Sequence, residues 1–354
     1  MSERPNRVTL RQVAARAGVS TMTASYTYNQ PKRVSAEARA RVLAAAAELG
    51  YAGPDPSARS LRRGSSRTVG VVLGEALTYA FEDPQAASFL AGVASVCVAA
   101  GYGMTILPIT GAADDGKRIH ETPADGFIVW TTSDDDPVLA AVAASRRPAV
   151  VHGGPARDGL ALVGIDNAAA ARAIGAVAYA GARRPAVLSF PLGRDRAARI
   201  VRGPATTAGK VPFPVTRDRL RGYRAAARAA GHPWSGIPVA VCPRNSAEDA
   251  ERAAAALLGG DPERRPDAIV AMSDQQAAGV LRAAATLGIP VPDRLAVTGW
   301  DDDRIATELG LTTVAQSLRD QGATCADIVL GRRPATGDLS APWTIVHRTS
   351  TSRR

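Results

Sequence analysis

Along the first fifty residues apolar side chains recur every three or four positions in three short blocks. Beyond residue 68 they come as unbroken runs separated by Ala-rich stretches. The first spacing is that of helices with one buried stripe, the second that of strands buried on both faces and alternating with helices. Thr9 with Gln12 forms a capping-box pattern, so a helix is expected from Leu10 with Leu10, Val13, Ala14 and Ala17 inward. Gly18 allows a tight turn, and Ser20 can cap a second helix from Thr21, with Ala24 and Thr27 inward and Val19 closing the corner. A third helix is expected behind Ser35, running to about Leu49 with Val42, Leu43, Ala46 and Leu49 on one face and Gly50 at its end. Three short helices sharing one small core, two of them at a corner, make a helix-turn-helix arrangement, whose second helix is built to enter a DNA major groove.

The stretch 54–67 changes character. Pro54, Pro56 and its Gly and Ser content read as a linker, yet Asp55 can cap and Pro56 can start a helix of two turns over residues 57–63. So short a helix forms only when something holds it. From Thr68 the segments TVGVVLG, GMTILPI, DGFIVW, PAVVHG, LVGI, PAVLSF, PVAVC, DAIVAM and LAVTGW read as strands, with helices between most of them. Helices are expected over 84–100, from about 167 to Tyr179, around 219–231, from Ala247, and up to Leu287. About ten strands fit two parallel sheets, each covered on both faces, better than one.

Charge sharpens this division. Residues 1–67 carry twelve Lys and Arg against four Asp and Glu, a net of +8, whereas the other 287 residues carry only +2 of the total of +10. A basic terminal module beside a near-neutral body points to nucleic acid before an acidic membrane. Chemistry of other kinds is poorly represented. Cys97, Cys242 and Cys325 are too scattered for a local metal site, and His120, His152, His232 and His347 show no metal-ligand spacing. GxGxxG, GxxxxGK[ST], GxSxG and HExxH motifs are absent, and three successive carboxylates in WDDDR (300–304) would point in different directions rather than hold Mg. No secretory or transmembrane segment is recognisable, so a reduced cytoplasmic protein without metal or cofactor, and not an enzyme, is expected.

The stretch VTLRQVAARAGVSTMTASYTYNQPKRVSAEARARVLAAAAELGYAGPDPSARSLRRG resembles the head of the lactose-repressor (LacI/GalR) family of bacterial transcription regulators. Its landmarks are VTL, the VA-x-x-AGVS turn, Asn29 at the end of the second helix, VS-x-x-x-R-x-x-V and LGY. The resemblance implies that Thr21, Met22 and Tyr26 face the bases. Tyr26 stands where Arg is common, and so forgoes the bidentate contact to guanine. Thr21, Thr23, Ser25 and Asn29 offer hydroxyls or an amide to bases and phosphates, and Thr9, Ser20, Arg33 and Val34 complete the head's expected DNA set. In the linker, the resemblance implies a hinge helix that folds on the operator and inserts Leu61 into the minor groove, with Arg59, Arg62 and Arg63 along phosphates.

The body resembles the family's effector core, akin to periplasmic sugar-binding proteins, most clearly over DAIVAMSDQQAAGVLRAAATLGIPVPDRLAVTGWDD. The fold expected is therefore an all-α helix-turn-helix head, residues 1–53, a hinge or linker, 54–67, and an α/β core of two Rossmann-like lobes. The N-lobe would take about 68–165 and 318–341, the C-lobe about 166–317 and 342–354. Ligands of such folds lie at the carboxyl ends of strands, which nominates Glu75, Tyr79, Phe81, Asp166, Phe190, Ser273, Asp274, Trp300 and Asp301. By resemblance Arg219 and Asp301 match the pair that commonly holds ligand hydroxyls or a base. A repressor binding a palindromic double-stranded operator as a homodimer, with a sugar or nucleoside effector, is expected. Without a leucine-heptad run near residue 354, a dimer is favoured over a tetramer. A cytoplasmic sugar-binding protein without DNA activity is the alternative.

Overall fold

The computed structural model describes residues 8–53, 64–74, 78–109, 114–206 and 211–351, apart from the side chains of Tyr79 and Ala80. The chain divides into two compact units at Arg67/Thr68. In the first, α1 (Leu10–Ala17), α2 (Thr21–Asn29) and α3 (Ala36–Leu49) begin and end at the expected caps. The Thr9–Gln12 capping box is formed in both directions, and Gly18 turns the chain at φ 63°. The core of this unit is small and dominated by alanine: Val13, Ala14, Ala17, Ala24, Val42, Ala45 and Ala46. Leu43, expected inward, is exposed, and Ala45 takes its place. A 14-residue helix packed against two short ones leaves only its Val42–Ala45–Ala46 stripe inside. Caps worth about 1 kcal/mol each, an edge-on Tyr28–Tyr51 contact at 6.0 Å and an exposed Arg16–Glu48 pair supplement it.

In the second unit the strands β1 (Thr68–Leu73), β2 (Gly103–Pro108), β3 (Gly126–Trp130), β4 (Ala149–His152) and β5 (Ala161–Val163) form one all-parallel sheet of order β2-β1-β3-β4-β5. Between them run α4 (Tyr79–Glu82), α5 (Pro84–Ala100), α6 (Asp115–Glu121) and α7 (Pro137–Ala144). Val69, Val71 and Leu73 of β1 enter one apolar layer and Val72 the opposite one, as a doubly covered sheet requires. The chain continues through α8 (Asn167–Tyr179), β6 (Pro185–Ser189), β7 (Arg199–Arg202), α9 (Pro214–Ala229), β8 (Pro238–Val241), α10 (Ala247–Leu258), β9 (Ala268–Ala271), α11 (Asp274–Thr286), β10 (Ala296–Asp301), α12 (Arg304–Glu308) and β11 (Thr312–Ala315). Then come α13 (Leu318–Val329) and β12 (Thr344–Val346). The second sheet has order β12-β11-β10-β9-β6-β8-β7.

Two departures from the all-parallel expectation lie at its edges. β7 runs antiparallel to β8 and β12 antiparallel to β11. Arg-Ile-Val-Arg is mostly exposed, as an edge strand tolerates, so it carries no buried run to announce it. α9 also starts at Pro214, five residues before the expected Arg219, with proline at its first position where a missing N–H costs nothing. After β11 the chain returns to the first lobe as α13, whose Cys325, Ala326, Ile328 and Val329 join the layer under β1, β3 and β4. Each sheet reverses its strand order once, between β1 and β3 in one lobe and between β6 and β9 in the other. The crevices at those reversals are where this architecture places ligands.

Candidate functional site

On α2 the side chains that do not enter the head's core form one continuous face. Thr21 and Met22 are exposed, Met22 at 63%, and so is Asn29, while Ser25 and Tyr26 are half-buried. A methionine that open on a nine-residue helix serves no packing purpose. Local bonds order this face. Ser20 Oγ accepts from the Thr23 amide at 3.0 Å and meets Thr23 Oγ1 at 2.9 Å; Asn29 Nδ2 donates to the Ser25 carbonyl at 3.1 Å. The Arg33 guanidinium lies over the Tyr26 ring, 5.9 Å from its centroid, and Val34 is half-buried. Thr9 spends its hydroxyl in the α1 cap. Arg59, Arg62, Arg63 and Leu61 lie outside the described residues.

The second candidate site is the cleft of the core. A cavity of about 650 Å³ runs past the ends of β1, β3, β6 and β8 and meets an inner recess of about 100 Å³. The two share Asp83, Trp130, Thr131, Phe190, Val215 and Asn245. Arg219 stands at the recess, only 5% exposed. Its Nε donates to Asn167 Oδ1 at 2.9 Å and its Nη1 to the Met272 carbonyl. Its guanidinium sits 3.8 Å above the Trp300 ring centroid and 5.5 Å from that of Phe190. A planar cation held by two acceptors and two rings keeps one orientation without the entropy cost of a free side chain.

Asp301 faces the same recess from the end of β10. Its Oδ1 accepts from Gln316 Nε2 at 2.8 Å. Enclosure pushes its carboxyl well above the usual range, against the opposing charge of Arg219. Asp301 and Asp302 both take positive φ, 111° and 55°, a strain of order 1–3 kcal/mol each that a protein retains where the side chain's placement matters. From the other lobe His152, 7% exposed, is tilted against Phe89 and Trp130 at 4.7 and 5.1 Å. Burial lowers its imidazole to about 4, so it is neutral at ordinary pH.

Of the residues expected to hold a ligand, Phe190, Arg219 and Asp301 line the cavity. Ser273, Asp274 and Trp300 do not, and each has a structural occupation. Ser273 caps α11 and donates to Asn245 at 2.5 Å. Asp274, its carboxyl pushed up to about 7 by burial, accepts from Thr313 Oγ1 at 2.7 Å and from the Asp303 amide at 2.8 Å. Trp300 is wholly covered beneath Arg219. Phe81 is 71% exposed and off the cavity wall. Asp166 caps α8 by accepting from the Ala169 amide. Glu75 and the Tyr79 side chain lie outside the described residues. The cavity adds residues that the sequence reading passed over: Trp130 and His152, which end β3 and β4 and obey the same strand-end rule, and Asn245, Gln316 and Gln321, which stand in or beyond connections. Among the described residues no cluster of three or more His, Cys, Asp or Glu could hold a metal ion, and no helix is long and apolar enough to cross a membrane.

Comparison with known proteins assigns both units. Residues 9–53 match the model of bacterial regulatory proteins of the lacI family, and residues 178–351 match a periplasmic binding protein-like domain. The chain is 38% identical over 343 residues to the HTH-type transcriptional regulator Rv3575c of Mycobacterium tuberculosis, covering 95% of this chain and 94% of that one. Among solved structures it is similar to a LacI-family transcriptional regulator from Corynebacterium glutamicum, at a TM-score of 0.73 and 28% identity, over 99% and 100% of the two chains. It is also similar to the transcriptional regulator CelR in complex with cellobiose, at 0.66 and 26%, over 97% and 100%.

Proposed function

The chain belongs to the lacI family of bacterial transcriptional regulators, whose members are not enzymes, and from that premise we propose that it is a repressor whose hold on a palindromic DNA operator is set by a neutral sugar or nucleoside in the core cleft. The observation that carries this reading is Arg219, fixed by Asn167 and Met272 over Trp300 and beside Asp301, in a cavity between two lobes. An arginine and a carboxylate side by side donate to and accept from vicinal hydroxyls, and Trp130 and Phe190 offer ring faces to a sugar or base. The cellobiose complex of CelR supports a carbohydrate.

The protein acts in the cytoplasm as a homodimer, because a two-fold operator matches two copies of one reading helix. Thr21, Met22 and Tyr26 read bases, and residues 54–67 fold as a hinge on DNA with Leu61 as a wedge, its unstacking cost offset by the contacts of a bent duplex. A ligand touching both lobes alters the angle between them and thereby the readiness of the hinges to pair. The test uses the full chain and palindromic duplexes selected from random sequence. Arg219→Ala keeps operator affinity within about threefold and loses the response to sugar; a full response would remove Arg219 from the site. Leu61→Ala weakens selected duplexes more than random ones, and equal losses would refute the wedge. Sugar binding with no DNA binding even in low salt would instead identify a sugar-binding protein without DNA activity.

A further inference from the structure

A cavity of about 460 Å³ lies at the amino ends of β6 and β8, the opposite end of the second sheet from the cleft. Pro185 and Pro238, which begin those strands, form part of its wall; the cleft opens at their carboxyl ends, a strand's length of about 13 Å away. Its volume is that of a small-molecule site. Four arginines line it from three separate stretches of chain: Arg183 and Arg184 from the turn between α8 and β6, Arg202 from the end of β7, and Arg264 from the turn before β9. Ile200 and Leu257 give it an apolar side.

Cations gathered in this way repel one another, and the lining does little to neutralise them. Among the described residues no carboxylate pairs with Arg183, Arg184 or Arg202, although Arg194, Arg199, Arg217 and Arg244 of the same lobe each have an aspartate partner. Asp267 is turned to the backbone amides of Arg183 and Arg184 at 2.9 and 2.8 Å, and Asp261 lies 3.8 Å from Arg264. The lining thus sets four guanidinium groups against one carboxylate, that of Glu263. Two of the four are held in place by carbonyls: Arg184 Nε donates to Arg265 and Arg202 Nη1 to Gly236, both at 2.6 Å. Each bond uses one of five N–H donors and fixes the plane that carries the rest. The His232 ring, also in the lining, is anchored by Nε2 donating to the Ala182 carbonyl at 3.1 Å.

We propose that this cavity is a second ligand site, separate from the cleft, which takes a small molecule bearing a diphosphate or a longer chain of phosphates. Guanidinium forks match phosphate oxygens two at a time, and a concave basic surface raises the local concentration of anions. One orthophosphate is too small to engage arginines from three segments around a cavity of this volume, so linked phosphates are the better match. A DNA duplex displays its phosphates on a convex rod, which suits an open face rather than a recess. The site stands whether or not the cleft takes a sugar, because the two share no lining residue.

Isothermal titration of the full chain with pyrophosphate, tripolyphosphate and orthophosphate, at about 100 mM NaCl to screen loose surface attraction, tests this. The variant Arg184→Gln/Arg202→Gln is set against Arg221→Gln/Arg304→Gln, which removes two exposed charges elsewhere on the same lobe. Pyrophosphate and tripolyphosphate are expected to bind wild type and the control pair alike, about tenfold or more tighter than orthophosphate, and to lose about tenfold or more in the Arg184/Arg202 variant. Absence of binding by wild type overturns the site, and so does equal binding by all three proteins, which would move the anion to the basic head. Orthophosphate binding as tightly as pyrophosphate overturns the choice of linked phosphates. If wild type binds no pyrophosphate and the Arg184/Arg202 variant loses affinity for random duplex, the patch is a DNA contact and the proposal falls. Thermal unfolding establishes that each variant is folded; should the first fail, Arg183→Gln/Arg264→Gln makes the same comparison without touching the two carbonyl bonds.

Discussion

An imidazole enclosed between Phe89 and Trp130 costs more to protonate than one in water, and the hydrogen bond from its Nε2 to Gln321 offsets only part of that cost. The sign of the consequence follows from linkage. His152 is depressed from 6.5 to about 4 in the folded chain, so between those values the unfolded chain binds the extra proton, and the stability present above pH 6.5 is lost as the pH falls. The full shift corresponds to about 3 kcal/mol. Asp274 and Asp301 are raised, so their contributions run the other way, fading as the pH rises. Overall stability therefore hides His152, and a difference reveals it. The gap in unfolding free energy between wild type and His152→Gln narrows by up to ~3 kcal/mol from pH 7 to pH 4. Proton NMR of the His152 ring, assigned by its disappearance in that variant, shows a midpoint near 4, whereas a midpoint near 6.5 would falsify the burial argument. Histidine composition alone carried no hint of this. The sequence shows His152 ending a strand, but the rings that enclose it come from α5 and β3, and only tertiary packing unites them.

Helix pairs in the core cross at glycines. α5 meets α13 where a β-carbon on Gly92 would stand 1.9 Å from the Arg319 carbonyl oxygen and one on Gly322 2.2 Å from that of Phe89. Both obstacles are backbone, so neither helix yields without moving the other. Gly92→Ala and Gly322→Ala are each expected to destabilise the core by about 1–3 kcal/mol, the cost of overpacking, despite alanine's better helix propensity. Chemical denaturation of the core measures this, and an unchanged or raised midpoint would show that the helices separate freely. The stretch 84–100 made α5 readable in sequence, and in the folded chain Asp83 caps it with Pro84 at its first position. What Gly92 and Gly322 do was not readable, because their partners lie about 230 positions apart in the chain and a helix of this composition tolerates glycine locally. The same reasoning separates Arg219 and Asp301, placed in the site by family likeness, from Ser273, Asp274 and Trp300. Asp301, Ser273, Asp274 and Trp300 lie at or beside strand ends and Arg219 on α9, but only the folded chain shows which face the recess and which cap, brace or floor it.

At the scale of the molecule two kinds of binding energy meet in one chain, and salt distinguishes them. The head's excess of cations makes DNA affinity a matter of counterion release: six to ten phosphate contacts cost about 10³–10⁵ in affinity between 50 and 200 mM salt. A neutral effector in the core recess, where Arg219 is only 5% exposed, would displace no condensed counterions, so its affinity for the free protein is expected to change less than twofold over the same range. Exposed links between the lobes, Asp135 to Arg194 at 2.9 Å and Asp134 to Arg217, contribute at most a few tenths of a kcal/mol each and do not alter that expectation. Coupling between head and core must obey reciprocity: whatever factor the effector applies to operator affinity, saturating operator applies to effector affinity, in the same direction. Fluorescence anisotropy of labelled operator with and without effector, and calorimetric titration of effector with and without operator, at one salt concentration, give the two factors independently. Equal factors, between about five and 150-fold, are expected of a regulator working through one two-state equilibrium. A factor of one in both titrations, with each ligand still binding, would mean that the cleft and the DNA-reading helix act independently, and the effector would then have no part in controlling the operator.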